Sequence, residues 1–214
     1  MTAVDTATAA NRWYPAQPPA DDLTTPAGLL KDGLQRRMRG MHALWLEALA
    51  TMNADHVNHS ERSGVLPIAF TVNHQVRLED ASCGILAGRA ARWNTGDWAN
   101  QTNVTVDNIG KDTTVAEMEL QRIGDYGAFC DYAHLVYADT ETWLDELPPE
   151  RLTEVLFGGS FPSFIQNAYI HRVVRDDTVL MVDAIECWIY QHGIRHLGEL
   201  EHARALVGLG GLTS

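Results

Sequence analysis

Lysine is almost missing from this chain of 214 residues: Lys31 and Lys111 stand against 14 arginines, and all 16 together face 28 aspartates and glutamates. The resulting net charge of −12 repels a phosphate backbone unless basic residues are segregated on one face. One short basic cluster exists, Arg36, Arg37 and Arg39, but Leu34, Met38 and Met41 interleave with it at helical spacing. It reads as the solvated side of an amphipathic helix, and no nucleic-acid partner is expected. Cysteine is scarce too. Cys83, Cys130 and Cys187 are odd in number and show no CxxC spacing, which argues against a secreted disulfide framework and for buried, reduced thiols. No run of 18 apolar residues occurs, and the N-terminus lacks a basic stretch followed by an apolar one. No membrane partner and a cytoplasmic location are therefore expected, with the sequons at Asn58, Asn100 and Asn103 chemically idle. The arginine bias is what a GC-rich coding sequence produces. Hydrophobic residues at 45% and charged residues at 21% leave an ordinary globular composition, long enough to bury one core.

The first 25 residues, rich in Ala, Thr, Pro and Asp, have little periodicity and read as a poorly ordered arm that Trp13 and Tyr14 could pin to the body. Residues 26–214 read as one domain. Thr25-Pro26 has the form of an N-cap with proline at the first helical position, and Leu30, Leu34, Met38, Met41, Trp45, Leu49 and Met52 recur every three or four residues, predicting a first helix over 26–53. A second is predicted from Pro67 to about Arg92, with Ile68, Val72, Val76 and Ile85 as its apolar positions. The stretch 93–111, rich in Asn, Thr, Gly and Asp, reads as a long loop. Thr114 and Glu117 have capping-box spacing and open a predicted third helix that runs to Leu147, where Pro148-Pro149 stops it. Residues 158–175 read as irregular, with room for a strand between Phe164 and Val174. A fourth helix is predicted from Thr178 through Leu206, ended by Gly208, Gly210 and Gly211. The expected fold class is all-α, a four-helix bundle with long inter-helix loops.

The chemistry concentrates in residues 191–200, Gln-His-Gly-Ile-Arg-His-Leu-Gly-Glu-Leu. His192 and His196 are four apart, so a helix stacks them on one face, where two imidazoles can converge on one divalent ion. The HxxxH spacing alone is a weak signal in a chain with nine histidines, since hydrogen-bonded core histidines are common. Gly193 and Gly198 strengthen it, because glycine costs about 1 kcal/mol relative to alanine inside a helix and its presence suggests close approach by another group. His74, two turns into the second helix, is the expected third ligand. The other histidines are weaker candidates: His56 and His59 lie in a connection, His42 and His134 are alone on their helices, His171 lies in the irregular segment, and His202 is six residues past His196.

The segment from His192 to Leu200 resembles the C-terminal metal motif of the DinB-like superfamily, in which His-x-x-x-His is followed by a residue, Gly and Gln. His74 resembles that family's first ligand, and Trp143 to Leu152 is similar to the connection after its third helix. The resemblance covers roughly residues 27–210, is specific at 192–200 and loose elsewhere, and departs from the motif at Glu199, where glutamine is usual. It implies a metal held by His74, His192 and His196, zinc first with nickel or another divalent ion as alternatives, an open coordination position, and a homodimer. Glu199 could accept a hydrogen bond from a ligand histidine or act as a base, with a solvated helix glutamate as the plain reading. Arg77, one turn from His74, could bind an acidic group of a substrate, with a surface arginine as the plain reading. The family's mycothiol- and bacillithiol-dependent enzymes make a thiol-dependent S-transferase or isomerase, acting on a small electrophilic molecule with mycothiol as cosubstrate, the first expected function. A hydrolase using metal-activated water is the second, and a binding bundle without turnover the third.

Overall fold

The computed structural model describes residues 23–110, 113–159, 169–174 and 178–212, and it is mostly helical with one two-stranded sheet. Helix α1 (Pro26–Ala50) starts where expected: the Thr25 hydroxyl accepts from the Gly28 amide at 3.0 Å and Pro26 occupies the first turn. After the short α2 (Ala54–Asn58), helix α3 (Ile68–Ala87) follows Pro67 and stops at Gly88, whose φ of 67° only glycine adopts cheaply. The expected extension to Arg92 is therefore absent, and a separate 3₁₀ turn covers Arg92–Asn94. The loop that follows is not structureless, since it contains α4 (Trp98–Thr102).

The predicted third helix is two helices. Thr114 and Glu117 form the capping box, but it opens only α5 (Val115–Met118). The chain then leaves the helix because Ile123 pairs with Val104 as an isolated antiparallel bridge, and Gly124 lies against the Asn103 side chain, where any Cβ would collide at 2.4 Å. Asp125 restarts the helix by accepting from the Ala128 amide, and α6 (Tyr126–Glu146) runs to the Pro148-Pro149 stop. Beyond a 3₁₀ turn at Pro149–Thr153, β1 (Val155–Gly158) pairs antiparallel with β2 (Thr178–Leu180), and Tyr169–Arg172 is another 3₁₀ turn. Strand thus lies on either side of the segment proposed for it. Phe164 itself, like residues 1–22 of the N-terminal arm with Trp13 and Tyr14, falls outside the described residues.

The last helical run begins three residues later than predicted and is not uniform. α7 (Met181–Ala184) passes into a π-helix (Ile185–Tyr190) and then into α8 (Gln191–Leu206). A π turn shifts the helical register relative to an uninterrupted α-helix, and such insertions cluster at functional sites. Ile185, Ile189, His192 and Leu200 of this run are buried.

The four long helices contact one another, α1 with α6, α3 with α6 and α8, and α8 with α1. Between them lie Met38 and Trp45 of α1, Val72 and Val76 of α3, Phe129, Tyr132 and Val136 of α6, and Ile189 from the π segment, all essentially without solvent contact. Each large apolar side chain buried in this way contributes roughly 1.5–3 kcal/mol before entropy is counted. Among the described residues no helix is long and apolar enough to cross a membrane.

Trp45 ties the core to the site-bearing helix by donating its indole N–H to the Gly193 carbonyl at 3.3 Å. Gly193 permits that approach, because a Cβ there would meet Met41 Sδ at 2.2 Å and Gln75 Nε2 at 3.1 Å, whereas a Cβ at Gly198 meets nothing within 4 Å. The expectation of close approach holds for Gly193 and fails for Gly198. Accordingly, Gly198→Ala is expected to raise unfolding free energy by up to about 1 kcal/mol through helix propensity, and Gly193→Ala to lower it. Paired denaturant titrations check this, and equal effects of the two substitutions would contradict the packing described.

Candidate metal centre

α3 and α8 lie side by side, and from them three imidazoles meet. His192 Nε2 is 3.2 Å from His74 Nε2 and 3.1 Å from His196 Nε2, and the ligating atoms of all three lie within 4.8 Å of one another. His192 is buried, while His74 and His196 are partly covered.

The outward nitrogens decide the protonation pattern. His74 Nδ1 donates to the Ile109 carbonyl, which can only accept. His196 Nδ1 donates to a carboxylate oxygen of Glu199 at 2.6 Å. His192 Nδ1 is 2.6 Å from Gln75 Oε1, and the Gln75 amide is oriented because its Nε2 donates to Glu79 Oε2 at 3.2 Å. Each Nδ1 therefore carries the ring proton, and three Nε2 lone pairs face one another.

Lone pairs so arranged repel unless a cation or a proton lies between them. Protonation is disfavoured: burial, together with the neighbouring His196 and His74, depresses His192 to about 2. Burial also lowers His74, against the pull of the Ile109 carbonyl. A divalent ion fits better, since Zn–N bonds of about 2.0–2.1 Å at ordinary coordination angles place ligand nitrogens roughly 3.0–3.4 Å apart. This group can hold a divalent metal.

Several contributors to the site have no individual mark in the sequence. Asp80, buried, accepts from the amides of Arg92 and Trp93 and from the Tyr132 hydroxyl, each at 2.8 Å, and so anchors the chain leaving α3. Farther on, Asp107 accepts from the Trp93 indole at 3.0 Å and pairs with Arg77 at 2.8 Å. The loop then turns at Asn108-Ile109-Gly110, with the Gly110 amide donating to Asn108 Oδ1, and brings the Ile109 carbonyl to His74. Gly110 has a φ of 86°, and a Cβ on it would lie 3.0 Å from His74 Nδ1. The Asn-x-Gly turn signal was visible in the sequence. Its target was not.

Arg77 takes a different place from the one expected. Its guanidinium pairs with Asp107 and lies 3.9 Å over the Trp93 ring, so the acidic group it meets belongs to the chain itself, and its part is to hold the loop that caps His74. Glu199 does contact His196, and its carboxylate is exposed. His134, His171 and His202 are exposed, His59 pairs with Glu61, and His56 lies in α2, so none of these joins the cluster.

Behind the imidazoles a second polar group is sealed in the core. His42 is stacked on Tyr137 and held between two acids, Nε2 2.8 Å from Glu79 Oε1 and Nδ1 2.8 Å from Glu141 Oε1. Burial opposes charge on His42, but Glu79 and Glu141 outweigh it and lift its pKa to about 9. Glu79 meets the His42 ring and orients Gln75, so a continuous polar chain runs from Glu141 to His192.

With these positions established, comparison adds the fold. No family model matches the chain, and no curated protein matches it. Among solved structures, the crystal structure of the conserved protein of locus from Enterococcus faecalis is similar at a TM-score of 0.63 and 18% identity, over 83% of this chain and 97% of that one. Similarity at that identity speaks for a shared helical fold and leaves the chemistry to the residues.

His42 makes stability depend on pH. Its folded pKa is raised above the ordinary value near 6.5, so its contribution is complete below pH 6.5 and is lost as pH rises through about 9. The full linkage is on the order of 3 kcal/mol. Denaturant midpoints are expected to fall between pH 6.5 and 9 in the native chain and to show no such fall in His42→Gln; the same slope in both would remove His42 as its source.

Proposed function

We propose that this chain is a DinB-like four-helix bundle, formed by α1, α3, α6 and α8, and that it is a metal-dependent enzyme. His74, His192 and His196 would hold a divalent ion, zinc first. Convergence of three unprotonated Nε2 atoms, each backed by an acceptor on Nδ1, is the observation that carries this reading. Such an ion, when bound, lowers the pKa of a thiol or water that reaches it and so makes a nucleophile available at neutral pH.

The residues around it have separable tasks. Ile109, Gln75 and Glu199 keep the ring protons on Nδ1 and fix the ring orientations. The Asp80, Asp107 and Arg77 contacts hold the capping loop.

A thiol-dependent transferase or isomerase, with mycothiol or a similar small thiol as cosubstrate, is the preferred activity. It is supported by the motif at 192–200 and by the engagement of Glu199 with His196, which leaves that carboxylate a poor candidate for a free base. Hydrolysis by metal-activated water is the second reading, favoured by the only partly covered His74 and His196, which leave the cluster open on one side.

Elemental analysis of the purified chain is expected to find one divalent ion, to find it lost in His74→Ala, His192→Ala and His196→Ala, and to find it retained in His202→Ala. Full metal content in any of the first three variants would place the site elsewhere. Incubation of the metal-loaded chain with a chlorinated aromatic electrophile separates the activities: conjugate formed only with mycothiol present supports transfer, and turnover without thiol supports hydrolysis. Absence of both leaves a binding protein.

A further inference from the structure

A cavity of about 330 Å³ lies against the imidazole cluster, with His192 in its wall. α3 contributes Leu78 and Ile85, the capping loop Ile109, the 3₁₀ turn Ile170, and the π segment Trp188. Ile85 is among the most exposed large apolar side chains of the described residues, at 62%, which is costly unless something covers it. Cys187 also lines the space, and burial pushes its thiol up to about 11, so it stays neutral and adds to the apolar wall.

Among the described residues, one charged group borders this cavity, Arg195. It lies one turn from His192, its guanidinium is 5.5 Å from the Tyr169 ring centroid, and its charge is felt by both His74 and His192. In a chain of net charge −12, Arg36, Arg37, Arg39, Arg77, Arg92 and Arg151 are each paired with a carboxylate. Among the described residues, no ion pair with a carboxylate is formed by Arg195, as by Arg62, Arg122, Arg172 and Arg204, and of these five Arg195 alone lines this cavity. Glu199, one turn along the same helix and well placed to pair with it, is bonded to His196 instead. The result is an available guanidinium at the edge of an apolar cavity, beside the three converging nitrogens.

We infer that this cavity binds a small monoanion with a flat apolar body, such as an aromatic carboxylate. Its body lies against Leu78, Ile85 and Trp188, and its anionic group on Arg195. A guanidinium engages a carboxylate through two parallel N–H donors, whereas a neutral alcohol offers no charge to meet it. The volume is at the small end of ligand pockets, roughly 300–1,000 Å³, and suits one or two fused rings. The inference rests on the metal-centre reading only for where a reacting atom would lie, since Arg195 and the apolar walls would bind the anion without it.

Calorimetric titration of the zinc-loaded full chain with 2-naphthoate and with its neutral counterpart 2-naphthalenemethanol tests this. The acid is expected to bind at least tenfold more tightly than the alcohol. Arg195→Gln is expected to abolish that preference while zinc content is unchanged, and Ile85→Glu to weaken both ligands at least tenfold. The preference is also expected to persist in the native chain stripped of zinc by a chelator. Failure of both probes to bind, equal binding of the two, or a preference that survives Arg195→Gln overturns the inference. So does a preference that vanishes with zinc removal, because the carboxylate would then sit on the ion. A chain that takes up no zinc yet shows the Arg195-dependent preference upholds the cavity and refutes the metal centre, so the two readings fail separately.

Discussion

Three neutral imidazoles turned nitrogen to nitrogen are an unfavourable arrangement in an empty protein interior, and the surrounding structure is organised to maintain it. His192 is buried, 3.1–3.2 Å from its two neighbours, and can neither rotate freely nor protonate easily. What prevents collapse into ordinary hydrogen bonds is the set of acceptors on the far side of each ring. One is a backbone carbonyl, one an amide whose orientation is itself imposed, and one a carboxylate. Remove any of these acceptors and the corresponding ring is free to exchange its tautomer, which would replace a lone pair by a proton.

The support extends deeper than the rings' immediate neighbours. Gln75 is directional because Glu79 accepts from it, and Glu79 in turn lies against the charged ring of His42 inside the core. A buried acid and base that compensate each other are weak as a source of stability, since desolvation consumes much of their attraction. Here their value is geometric. On the other flank the capping loop depends on Asp80 and Asp107, two carboxylates that bond backbone amides, an indole and a guanidinium. Tertiary contacts of low sequence locality therefore determine the orientation of a motif that looks local.

Much of the helical frame could be read from the order of residues, because apolar periodicity and capping chemistry are properties of short stretches. Thr25-Pro26 and the Thr114-Glu117 box are helix starts in the structure as in the reading, and Pro148-Pro149 is a stop. The errors share a cause. The third helix breaks at residues 119–125 because Ile123 is drawn to Val104 and Gly124 to Asn103, partners about twenty residues upstream that a window of local pattern does not contain. The strand was sought within 164–174, whereas pairing occurs between 155–158 and 178–180, since a two-stranded ribbon is selected by its partner as much as by its own composition. At the site, the helical HxxxH pair was legible from spacing, whereas the contacts of Arg77 with Asp107 and Trp93 were not, because no local feature connects them.

By itself the sequence determined a mostly helical chain, a strongly acidic net charge, and two histidines that any α-helix would stack on one face, all consequences of composition and a fixed 3.6-residue period. His74 was named with them from the sequence and the structure brings it there, but tertiary structure alone decided that the three Nδ1 protons point outward to Ile109, Gln75 and Glu199, and that Arg195 borders an apolar cavity. The contacts of His192 with His74 and Gln75 join residues more than a hundred positions apart and that of His74 with Ile109 spans 35, so packing of side chains in three dimensions, rather than local backbone preference, sets the geometry.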